Sequence, residues 1–129
     1  MQVVGSAAEA LHRISKQTIA AVDGIAAGAG LSLAMGCDVV VATNRAQFPA
    51  LLVRRGLVVD FGVTWLLPRL VGPQKAKELP LSGRFLPATE ALEMGMVTRL
   101  VDVGQSTWPG ARGISANAER RAATISAAI

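Results

Sequence analysis

The chain has 129 residues, enough for one domain with a modest core and too few for a separate cofactor domain. It is 51% hydrophobic, yet no charge-free apolar run reaches the length of a membrane span, and the start of the chain lacks the pattern of an export signal, so a cytoplasmic location is expected. The formal net charge of +4 invites an anionic partner, but the arginines are scattered and tyrosine is absent, which argues against nucleic acid for want of a stacking platform.

In chain order, Ala7, Ala8, Leu11 and Ile14 recur at helical spacing, with Ser6 as an N-cap and Glu9 completing a capping box, so a short amphipathic helix is expected over 6–16. Ile19, Ala20, Ala21 and Val22 form an apolar run that stops at Asp23-Gly24, and Val39-Val40-Val41 is a β-branched run after Asp38. Both read as buried strands, paired in parallel, with Asp23 closing a turn and Asp38 starting the second strand. Between them lies a glycine-rich turn, Gly28-Ala29-Gly30, which opens an apolar helix. Gly28 and Gly30 lack Cβ atoms and permit positive φ, and the first N–H groups of the helix have no intrahelical acceptor. Such donors, at the positive end of the helix dipole, suit a developing oxyanion; the bland alternative is that the glycines only allow close helix-strand packing.

Further on, 62–70 and 73–79 read as helices separated by Gly72-Pro73, and 89–94 as a third that ends at Gly95. Pro80 would remove a helical hydrogen bond, so the second of these helices is expected to end at Leu79 or to be destabilised. Trp65, beside Leu66 and Leu67, reads as a core residue. From Gly104 leucine disappears and Gly, Ala, Ser and Arg dominate, so residues 1–103 form the domain and 104–129 a divergent tail expected to be disordered or weakly helical. A reading-frame change or a truncated gene is the simplest account of that tail.

Other chemistries fail on spacing. Gly30-Leu31-Ser32-Leu33-Ala34 imitates a nucleophile elbow, but its last position is Ala and the single histidine, His12, lies upstream. Leu33 stands where a dinucleotide loop needs its third glycine, and the second strand ends at Ala42-Thr43-Asn44 without an acidic residue. One His and one Cys make no metal site, and Cys37 reads as a reduced, buried thiol. Arg54 and Arg55 read as a solvated helix end or as partners for phosphate groups.

The stretch from Gln17 to Asp38, with Ile19-Ala20-Ala21-Val22-Asp23-Gly24, Gly28-Ala29-Gly30 and Cys37-Asp38, resembles the crotonase superfamily of enoyl-CoA hydratases and isomerases. The likeness continues through Ala46-Gln47-Phe48, 55–62, 65–72, 76–79, 82–84 and 88–101, in the family's order. The resemblance implies an α/β fold, the ClpP/crotonase spiral core with parallel strands and packed helices, here incomplete: about half of a protomer, without its first layers. It also implies an acyl-CoA or enoyl-CoA substrate, with no cofactor beyond the CoA of the substrate itself, and association as a homo-oligomer or with other crotonase-type subunits. By the same resemblance the N–H of Ala29 is one of two oxyanion donors, and the absent portion carries the other together with much of the CoA surface.

Hydration needs carboxylates that position water and move a proton. Alignment through the motif puts Ser32 and Leu52 at the two carboxylate positions, and neither can do that work. Asp60, at a position where isomerase branches carry an acidic proton shuttle, is the remaining candidate; its apolar neighbours Val59 and Phe61 would raise its pKa, while capping of the helix that follows is its structural alternative. Isomerase-like thioester chemistry is therefore expected, against the alternative of a non-catalytic paralogue or interaction module.

Overall fold

The computed structural model describes residues 2–49, 62–102 and 122–127. Within them α1 (Gln2–Arg13) leads to β1 (Gln17–Val22), α2 (Ala29–Gly36) and β2 (Val39–Thr43). After the next described residues come α3 (Val63–Val71), α4 (Pro73–Ser82), α5 (Ala88–Met94), β3 (Arg99–Val101) and β4 (Ala122–Ala127). The strands form one sheet in the order β3-β2-β1-β4, every pair parallel. Thr18, Ile19, Ala20 and Val22 are all buried, as are Val40, Val41, Ala42 and Thr43. That is why these strands read as unbroken apolar runs: a parallel strand covered on both faces has no polar side to alternate with. The expected α/β architecture, with α2 linking parallel strands, is the one observed.

α2 is itself almost wholly interior, with Gly30, Leu31, Ser32, Ala34 and Met35 buried. The core extends from Leu11 on α1 through α2 and the strands to Leu67, Leu79, Leu86, Ala91 and Met94. α1 closes against the far end of α2, where a Cβ on Gly36 would lie 3.0 Å from Leu11 Cδ2. A second set of main-chain bonds ties three distant passages side by side. Ala26 N–H donates to Gln47 O and Gln47 N–H to Gly24 O, both at 2.9 Å. Phe48 N–H then donates to Leu86 O at 2.9 Å and Ala88 N–H to Ala46 O at 3.1 Å. The segment that enters the glycine turn is thus held from the side as well as by β1.

Several expectations are corrected. α1 begins at Gln2 and ends at Arg13, so Ser6 is interior to the helix and is not its N-cap. Glu9 pairs with Arg13 one turn on, an i,i+4 arrangement that competes with a capping box. Pro80 lies inside α4, which runs on to Ser82. It falls in the last turn, where only one helical bond is forfeited, and Gly83 N–H and Ser82 Oγ both donate to Leu79 O to close the end. Trp65 is 55% exposed and is no core residue; Arg69 stacks over its ring, 3.8 Å from the centroid. Finally, residues 122–127 of the tail expected to be disordered form β4, paired with β1 from Gln17↔Ala122 to Val22↔Ala127.

Candidate active site

β1 delivers the chain to Asp23 and Gly24, just past its C-terminal end. Arg45, just beyond β2, donates from Nε to Asp23 Oδ1 at 2.9 Å and to the Asp23 carbonyl at 3.2 Å, with Nη2 on Oδ2 at 2.5 Å. This guanidinium holds the Asp23 carboxyl below its usual value, so Asp23 serves as the anchor of the turn and stays ionised. Asp38 is structural in the same sense. Thr18 N–H and Oγ1 both donate to its Oδ2, at 2.8 and 3.0 Å, locking the start of β2 against β1.

With Ala26 pinned to Gln47, the chain must reverse into α2 within a few residues, and it does so through Gly28 at φ 55°, ψ −124°. That conformation is closed to residues with a Cβ. Gly30, expected to share it, is instead the second residue of α2; only Gly28 in this turn has positive φ. Ala29 opens the helix. Gly30 N–H turns back to Ala27 O at 3.0 Å and Ser32 N–H takes Gly28 O at 3.2 Å, whereas the N–H of Ala29 has no acceptor among the described residues. An unpaired N–H at the positive end of an interior helix is able to polarise a carbonyl oxygen.

Ser32 is 4% exposed, and its Oγ donates to Gly28 O at 3.2 Å. Ser32, expected from the sequence at the first carboxylate position, therefore faces the turn one helical turn back. This role was not read from the sequence, although a serine four residues after a turn glycine is a recognisable signal for such a back-bond. His12 packs by Gly36, at the opposite end of α2 from the carbonyl that Ser32 engages, so the two do not form a hydrolase pair. Cys37 is buried with Sγ donating to Leu33 O at 3.3 Å, and burial pushes its thiol pKa up. Among the described residues no group of three or more His, Cys, Asp or Glu assembles for a metal, and no helix is long and apolar enough to cross a membrane. Leu52, Asp60, Arg54 and Arg55 lie outside the described residues.

Comparison with known proteins finds that residues 3–107 match the sequence model of the family described as enoyl-CoA hydratase/isomerase. The chain is 46% identical over 92 residues to 1,2-epoxyphenylacetyl-CoA isomerase of Escherichia coli K12, an alignment covering 71% of this chain and 35% of that protein. It is 42% identical over 90 residues to 4-chlorobenzoyl coenzyme A dehalogenase-1 of an Arthrobacter species, covering 70% and 33%. Among solved structures, a probable enoyl-CoA hydratase/isomerase from Mycobacterium abscessus superposes with a TM-score of 0.82 at 36% identity, covering 93% of this chain and 44% of that one. An enoyl-CoA hydratase from Bacillus anthracis gives 0.86 at 31% identity, covering 92% and 45%. The chain thus spans about 35% of the length of a curated relative and about 45% of a solved one.

Proposed function

Because the chain belongs to the enoyl-CoA hydratase/isomerase family, we propose that it acts on an acyl-CoA or enoyl-CoA thioester, in an isomerase-like rather than a hydratase-like reaction. The observation that carries this reading is the N–H of Ala29, without an acceptor among the described residues, at the first position of α2 behind Gly28. The thioester carbonyl accepts from that N–H. As the proton α to the carbonyl leaves, the C–H electron pair moves into the new C=C bond and the carbonyl π pair onto oxygen, where the donor stabilises the enolate. Asp60 takes the proton and returns it to another carbon, so the double bond shifts and no water is added. Ser32 and Leu52 at the two hydratase carboxylate positions support the isomerase side of this choice. In this reading the chain works in the cytoplasm in association with crotonase-type subunits, and CoA is part of the substrate instead of a resident cofactor.

The test is a thermal melt and circular-dichroism titration with a series of enoyl-CoA thioesters and with free CoA. Acyl-CoA should raise the melting temperature by mass action. Ala29→Pro is the sharp control, since proline is tolerated at the first helical position but deletes the one N–H in question. Its melt should lose the acyl-CoA response, and Asp60→Asn should bind but fail to turn over. Absence of carboxylates at Ser32 and Leu52 favours one competitor, a non-catalytic interaction module; a melt indifferent to every thioester would decide for it.

A further inference from the structure

We propose that Ser32 is a positioning residue that aims the Ala29 N–H by clamping the Gly28 carbonyl, an inference that rests on the thioester reading above. The Gly28 carbonyl and the Ala29 N–H belong to one peptide unit, and no peptide bond among the described residues is cis. In a planar trans unit the two groups point in opposite directions, so fixing the carbonyl fixes the N–H. This unit is the soft joint of the turn, because its orientation is set by ψ of a glycine, which has the widest range of any residue. The helix alone holds the carbonyl by one long bond, from Ser32 N–H at 3.2 Å. The Ser32 hydroxyl adds a second donor on the same oxygen, also at 3.2 Å. At 4% exposure there is little water to compete for it.

Two donors from one residue hold the carbonyl inward along α2 and leave the N–H directed out of its N-terminus. An ionised glutamate is an acceptor only and could not make this bond, so the hydroxyl exchanges a proton-moving group for a fixed dipole. Threonine keeps the same option, since its Oγ1 also reaches the carbonyl four residues back.

The experiment uses the full chain with crotonyl-CoA carrying 13C at the thioester carbon, and reads the bound carbonyl stretch by isotope-edited infrared spectroscopy. The wild type should lower that stretch relative to free crotonyl-CoA. Ser32→Ala should bind with less than half of the lowering and a near-wild-type melt, and Ser32→Thr should restore it. In the absence of ligand, the 13C shift of the Gly28 carbonyl should move in Ser32→Ala and return in Ser32→Thr. A full lowering in Ser32→Ala that disappears in Ala29→Pro would overturn the role given to Ser32 while leaving the thioester reading intact. No lowering in the wild type would overturn both.

Discussion

At Gly28 a Cβ would meet nothing within 4 Å, so the residue is there for its backbone conformation and for no packing reason. Gly28→Ala is therefore expected to cost about 1–3 kcal/mol from strain alone, measured by urea denaturation. Gly95 differs: at φ 90° it combines the same kind of strain with a Cβ that would sit 3.0 Å from Leu70 O. Gly95→Ala should be the more damaging of the two, and a smaller loss there than at Gly28 would contradict the clash. Gly95 was legible in the sequence as a helix stop, since the apolar pattern ends at it. The pair Gly28 and Gly30 was legible only as a pair. Which of them carries positive φ depends on where Gln47 holds the incoming chain at Gly24 and Ala26, a long-range contact that spacing does not encode.

Among the elements, α4, like α3 with Pro68, runs through a proline. Leu79 and Ala76 are buried and hold the helix to the core, while Pro80 forfeits the bond to the Ala76 carbonyl. Pro80→Ala is predicted to stabilise the protein, by up to about 3 kcal/mol, and a lowered midpoint in the same denaturation series would show that the ring packs usefully. The strands were easy to see because burial on both faces leaves an uninterrupted apolar run in β1 and β2. Helix ends were harder. α1 begins four residues before its expected cap because nothing in Gln2 to Gly5 breaks a helix strongly enough to stop it. Trp65 was misjudged because its neighbours alternate: Leu67 turns inward to 4% exposure, while Trp65 faces out and is covered by Arg69 instead of the core.

Among the described residues, surface ion pairs join one element of the molecule to the next. Asp23 and Arg45 link the end of β1 to the loop after β2, and Arg84 joins Glu78 on α4 to Glu90 on α5. Arg84 holds the Glu90 carboxyl below its ordinary value of 4.5, as Arg45 does for Asp23 below 3.8. A depressed folded-state pKa means that the unfolded chain binds the proton first on acidification. The stabilisation is complete above the ordinary values and fades as pH falls through the folded ones. Stability should accordingly be flat from neutrality down to about pH 4.5 and decline below it, with a shallower decline in Glu90→Gln, followed by circular dichroism. These groups are exposed enough that the effect is modest. β4 escaped the sequence reading for a related, non-local reason: Ala122 to Ala127 has little β signal of its own, and its strand form comes from pairing along β1.

The position of Cys37 has a practical consequence. It is the only thiol in the chain and sits just past the last residue of α2, the helix whose other end presents Ala29. With its proton held by burial and its Sγ on Leu33 O, it should resist alkylation until that helix undocks. Its labelling rate is thus a clock for local opening. A ligand seated at the front of α2 should slow the clock at the back, and the degree of slowing would report its affinity without any turnover assay.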